Sequence, residues 1–143
     1  MQITGKNKGR MKKNPIKPRD TEFLTVAPFP CFNYRVYIIF TDSVEKTANS
    51  LVSQGLLKNP HEVDDATRAF TVKMPNQSFV VLVYPYDVDI SELTHEAYHA
   101  VCCMFKWIGA SHEEELLSYI LGYLCKIVAD DRKAMAKKLE KTT

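Results

Sequence analysis

The segment 89–130 limits the possible folds most, because it predicts two helices joined by a very short turn. Asp89 and Glu92 have the spacing of a capping box, at which a helix begins. Apolar residues then recur at helical spacing, and Gly109 stands where a left-handed residue commonly ends a helix. The second predicted helix, 112–130, is apolar on nearly all sides, so we expect it to be buried centrally.

The first of these helices carries the HExxH motif His95-Glu96-Ala97-Tyr98-His99. Residues four apart on a helix lie on the same side, so the two imidazoles can bind one metal ion. Glu96 lies on the same broad face, where it could accept a proton from a metal-bound water. The motif therefore predicts a zinc site with Glu96 as the general base.

A zinc site needs at least three protein ligands, and acidic residues follow Gly109 at once. Because the second helix folds back beside the first, we expect a carboxylate from its first turn near the imidazoles. Glu114 is expected to complete a second capping box with Ser111. The next residue, Glu115, is therefore the predicted third ligand, and His112 and Glu114 are the alternatives.

Three strands and one further helix are predicted before this segment. Aromatic and β-branched residues predict a strand over 32–41, followed by a helix that runs from Asp42 or Ser43 to about Gln54. The runs 68–74 and 79–84 flank turn residues and predict a hairpin, with 79–84 in the sheet interior and 68–74 nearer an edge. We therefore predict an α+β fold of order β-α-β-β-α-α.

The motif and the residues after it resemble one enzyme family. His95-Glu-Ala-Tyr-His99, followed by Glu115-Leu-Leu-Ser-Tyr119-Ile-Leu-Gly122-Tyr123, resembles the minimal zincin-like metallopeptidases of the gluzincin type, many of which are encoded by bacteriophages. The resemblance covers about the last half of the chain. It implies a small mixed sheet of three to four strands over the active-site helix, and one Zn²⁺ per chain held by His95, His99 and Glu115.

The activity that the resemblance implies is hydrolysis of a peptide bond by a metal-activated water, with Glu96 as general base. The peptide or protein substrate would bind as an extended strand beside the 68–74 edge. The alternative function is a non-catalytic binding or structural module that keeps the metal site and associates with a virion, a nucleic acid or another assembly. At 143 residues we expect no second domain that would select a substrate, which suits either a narrow substrate or no turnover.

The charge distribution predicts three parts of the chain: a basic arm at 1–20, a zincin-like domain at 21–130 and a charged tail at 131–143. The arm holds seven basic residues against Asp20 alone, with almost nothing to bury, so we expect it to be mobile. It is a candidate contact for nucleic acid or protein, since Lys and Arg neutralise phosphates. A merely solvated tail explains the same composition.

Cysteine usage and hydropathy predict the compartment. The four cysteines form no CxxC pair, which argues against a disulfide framework and favours a reducing compartment. No apolar run reaches the length of a membrane span, and the N-terminus lacks the apolar core of a signal peptide. We expect a cytoplasmic protein without membrane contact, located in the host cell if a phage encodes it.

Overall fold

The computed structural model describes residues 14–29, 32–58, 67–110 and 113–142. They form four strands and three helices: β1 (Phe23–Phe29), β2 (Tyr34–Thr41), α1 (Val44–Ser53), β3 (Phe70–Val72), β4 (Phe79–Pro85), α2 (Ile90–Ile108) and α3 (Glu114–Thr142).

The four strands form one mixed sheet in the order β1-β2-β4-β3. β2 and β4 are parallel in the centre, and β1 and β3 are antiparallel at the two edges. The α+β class and the small mixed sheet are confirmed. The β3–β4 hairpin is also confirmed, with the apolar strand inside and the more polar one at the edge.

Alternation along the strands separates two buried layers. Residues such as Ile38 and Leu82 belong to the core under α2 and α3, whereas their neighbours Ile39 and Val83 belong to the core under α1. Both central strands are therefore covered on both faces, which explains their nearly continuous apolar sequence. Thr71 pairs with Leu82, so it lies on the face that α2 covers.

The edge strand β1 was not predicted. It pairs with β2 over its whole length, from Phe23 opposite Phe40 to Phe29 opposite Tyr34. Pro28 interrupts its strand signal, and an edge strand tolerates a proline because only one of its sides needs backbone hydrogen bonds. The observed order is thus β-β-α-β-β-α-α.

The described part of the predicted arm is not free of the domain. Ile16 is buried in the core under α1. Arg19 forms ion pairs with Glu22 at 2.9 Å and Asp42 at 3.0 Å, and the Thr47 hydroxyl donates to the buried Glu22 carboxylate. Packing therefore begins by Ile16, and the arm expected at 1–20 is anchored over its last residues. Residues 1–13, which hold most of its charge, lie outside the described residues.

Helix α3 differs from the expected central helix and tail. It continues without interruption to Thr142, so the charged residues after Asp130 belong to a helix, and Met135 within them is buried. Among the described residues, α3 is covered on one face only, since Leu124 is fully buried whereas Tyr119 is 74% exposed. The prediction of a centrally buried helix was wrong, because α3 packs on one side of the sheet and beside one helix. Within the described ranges, no helix has the length and apolar character needed to cross a membrane.

Candidate metal and catalytic site

The start and end of α2 fix the position of the HExxH residues. The Asp89 side chain accepts from the Glu92 backbone N–H at 2.7 Å, and the Glu92 carboxylate accepts from the Asp89 N–H at 3.1 Å, which confirms the capping box. Gly109 ends the helix in the left-handed region with φ 72°. Ala97 and Ala100 face the core, so the motif's polar residues lie on the outer side and on the flank toward β3.

His95 and His99 lie side by side on the surface of α2. Their Nε2 atoms are 3.3 Å apart, and their ring centroids are 4.8 Å apart. Two Zn–N bonds of about 2.0 to 2.1 Å at a tetrahedral angle place the nitrogens about 3.3 to 3.4 Å apart. The two Nε2 atoms therefore already have the separation of two ligands of one zinc ion.

Glu96 is held between the histidines and the edge of the sheet. Its Oε1 accepts a hydrogen bond of 2.6 Å from the Thr71 hydroxyl on β3. Its Oε2 lies 3.8 Å from His95 Nε2, and the side chain is only 13% exposed. The carboxylate is thus oriented, because one oxygen is hydrogen-bonded to Thr71 on β3 and the other lies toward His95.

Arg68 joins the beginning of β3 to the first turn of α2. Its Nε donates to Glu92 at 2.8 Å, and its guanidinium also pairs with Asp87 at 3.2 Å. The hydrogen bond from Arg68 lowers the pKa of Glu92, and the same bond raises the pKa of Arg68. These contacts hold β3 alongside α2 a short distance before Thr71 meets Glu96.

The helical hairpin places Glu115 away from the histidines. Burial raises the pKa of Cys125 and the neighbouring Thr94 side chain opposes that rise, which places Thr94 of α2 beside Cys125 of α3. Glu115 is ten residues before Cys125 on α3, so in an antiparallel pair it is level with about residue 104 of α2. At about 1.5 Å per residue, that level is roughly 7 Å along the helix axis from His99 and roughly 14 Å from His95. Side chains lean toward the N-terminus of their helix, so Glu115 leans further toward the turn.

A short turn brings the first turn of α3 beside the last turn of α2, whereas His95 lies in the first half of α2 and His99 at its midpoint. Within the described part of the chain, no three His, Cys, Asp or Glu side chains come together in a group that could hold a metal. This arrangement does not bring Glu115 together with the histidines, and its role as the third ligand stays a prediction. The alternative Glu114 is exposed at the same end of α3, and His112 lies outside the described residues.

Glu113 caps the first turn of α3. The Glu113 carboxylate accepts from the backbone N–H groups of Glu115 at 3.0 Å and Leu116 at 2.8 Å. Glu113 thus satisfies two of the free amides at the start of the helix. Ser111, the expected partner of Glu114, lies outside the described residues.

Thr71 is the site residue that sequence reasoning missed. The sequence placed it on an edge strand but carried no signal for its partner, since it lies 25 residues from Glu96 along the chain. The contact depends on β3 lying at the edge beside α2, which only the tertiary pairing decides. Comparisons of the chain with protein-family models, with curated proteins and with solved structures found no match.

Proposed function

We propose that this protein is a zinc-dependent peptidase in which His95 and His99 bind the metal and Glu96 is the general base. The observation that carries the proposal is the 3.3 Å separation of the two Nε2 atoms beside the Glu96 carboxylate. Two neutral imidazoles in a hydrogen bond would have a similar separation. The acid oriented next to them favours the catalytic interpretation.

The histidines, Glu96 and Thr71 would have different roles in the reaction. A zinc ion at the two histidines would lower the pKa of a coordinated water and polarise a substrate carbonyl. The Thr71 hydroxyl holds Glu96 Oε1, which leaves Oε2 to take the proton from the attacking water and pass it to the leaving amine. Thr71 is thus a positioning residue, and Glu96 is the group that moves the proton.

The substrate would be an extended peptide. In the described part of the chain no strand pairs with the outer side of β3. Along an antiparallel strand, alternate residues direct both backbone N–H and C=O to the same side, so β3 offers hydrogen bonds to an added strand. Such a strand would pass beside Thr71, and therefore beside Glu96. We place this activity in the cytoplasm, which the free thiols of Cys102, Cys103 and Cys125 support.

A non-catalytic binding module is the second candidate. It is favoured by the finding that the described residues bring no third protein ligand to the histidine pair. Such a module would keep the metal and the peptide-binding edge without turnover, and its partner would be a virion component, a nucleic acid or another assembly.

Metal content tests the first half of the proposal. Protein loaded with zinc and then dialysed against metal-free buffer should retain about one zinc per chain. The variants His95→Ala and His99→Ala should each lose it. Tyr98→Phe, between the two histidines on the same helix, is the matched control and should retain the metal. Metal-free wild-type protein after dialysis would show that the two imidazoles form only a hydrogen bond.

Cleavage of a randomised decapeptide library tests the second half. Glu96→Gln should keep the zinc and lower the cleavage rate by about 100-fold or more. If the wild type binds zinc and cleaves nothing, the binding module is the correct function.

The third ligand is tested by zinc affinity in Glu115→Gln, Glu114→Gln and His112→Ala. Loss of a ligand should weaken binding by at least about tenfold, since even residues that only orient a ligand contribute that much. From its level in the helical hairpin, we expect Glu115→Gln to leave the affinity unchanged. A tenfold loss in that variant would instead assign Glu115 to the metal.

A further inference from the structure

A groove of about 680 Å³ runs along the edge strand β3 and the segment that follows α1. One wall is β3 and the turn after it, residues 71–77, and the other is the segment 55–58 after α1. Its volume lies within the usual range of ligand pockets. Thr71 lines this groove and also holds Glu96, so the groove and the candidate catalytic site adjoin the same strand.

The two faces of β3 lead to two different surroundings. Thr71 points to α2 and the catalytic glutamate. Val72, the next residue, points to the opposite face and is buried in the core under α1, against which Leu57 and Met74 also pack. A peptide added to the edge of β3 would have the same alternation, since successive side chains of a strand point to opposite faces.

The lining of the groove decides what it would accept. Leu56, Leu57 and Met74 are apolar side chains that remain half-buried along it. Lys58 and Lys73, which are both exposed, add two cationic groups to the lining. Apolar surface that is only partly covered gains free energy when another apolar side chain covers it.

We propose that this groove is the specificity pocket of the peptide site, and that it takes a large apolar side chain of the substrate strand. The proposal rests on the proposed peptidase function and adds the substrate class to it. When one residue of the bound peptide faces Glu96, its neighbour in the chain faces the groove. A Leu, Met or Phe next to the cleaved bond is therefore the preferred substrate feature.

The test uses Leu57→Lys, which places a charge in the groove and leaves the histidine side of β3 unchanged. With the randomised decapeptide library, the wild type should prefer Leu, Met or Phe at one position beside the cleaved bond. Leu57→Lys should lower kcat/KM for those peptides by at least about tenfold, the scale on which apolar pockets discriminate. Leu57→Ala, a milder variant, should shift the preference toward larger side chains and serves if the lysine variant does not fold.

Leu24→Lys is the matched control, because Leu24 is a half-buried side chain against the same core but on β1, at the opposite edge of the sheet. It should leave the peptide preference unchanged. An unaltered preference in the Leu57 variants, or an equal change in the Leu24 variant, would overturn the specificity pocket.

Peptide retention by Glu96→Gln separates this proposal from the proposed function. If wild type cleaves nothing but the Glu96→Gln protein retains apolar decapeptides and Leu57→Lys reduces that retention tenfold, the pocket stands and the peptidase function fails. If neither protein retains or cleaves any member of the library, the pocket is rejected.

Discussion

The hydrogen bond from Thr71 to Glu96 can be removed with little change of shape by Thr71→Val. The bond is 2.6 Å long, and its acceptor is a carboxylate that is 13% exposed. A hydrogen bond to a charged group contributes about 1.5 to 3 kcal/mol. Because water can still reach this carboxylate, we expect a value at or just below the lower end of that range, about 1 to 2 kcal/mol. If the bond orients the base in the transition state, kcat/KM should fall by about 5- to 30-fold.

Two measurements check this prediction independently. Steady-state cleavage of a peptide from the library should show the fall mainly in kcat, with zinc content unchanged and with Thr71→Ser restoring most of the rate. Urea unfolding of Thr71→Val, Glu96→Ala and the double variant should give a coupling free energy of about 1 to 2 kcal/mol between the two side chains. A coupling near zero would show that the hydrogen bond does not hold Glu96, whatever the activity.

The chain provides a matched control for the same substitution. The Thr25 hydroxyl donates to the Asp131 carboxylate at 2.7 Å, at the opposite edge of the sheet. Thr25→Val should therefore lower the free energy of unfolding by a similar amount and leave cleavage unchanged. An equal loss of activity in both variants would attribute the effect of Thr71→Val to general destabilisation and refute its positioning role.

Three further predictions concern stability. Because Arg68 lowers the pKa of Glu92, this pair stabilises the fold above the ordinary glutamate pKa and loses its contribution as the pH falls through the lower, folded value. In Arg68→Met, the free energy of unfolding, measured in urea from pH 6 to 3, should therefore fall less steeply with decreasing pH than in the wild type. An unchanged pH dependence would contradict this. Burial raises the pKa of Tyr84, so its contribution is complete below about pH 10 and declines above it by about 1.4 kcal/mol per pH unit, a decline that Tyr84→Phe should remove in alkaline unfolding curves. Leu124→Ala should cost about 2 to 5 kcal/mol in the free energy of unfolding, whereas the more exposed Leu116→Ala should cost under about 1 kcal/mol, and equal losses would contradict burial of only one face of α3.

The elements that were predicted correctly carry their information locally. The capping box at Asp89 and the left-handed Gly109 bound α2 as predicted, since both signals act within one turn of the residues they fix. The apolar run 79–84 was placed inside the sheet because a strand covered on both faces cannot alternate with polar residues. The edge strand β1 had no such signal, because its proline argues against a strand unless the strand lies at a sheet edge. There, one side of the backbone needs no hydrogen-bond partner.

The sequence by itself determined that His95 and His99 share one side of a helix with Glu96 between them, because four residues make about one helical turn. Two features depended on the tertiary structure. Strand β3 at the sheet edge gives Glu96 its partner Thr71, and the antiparallel register of α2 and α3 places Glu115 nearer the turn than either histidine. The lateral order of the strands and the level at which the two helices meet both depend on contacts between residues that are far apart in the sequence. Local sequence signals therefore do not specify them.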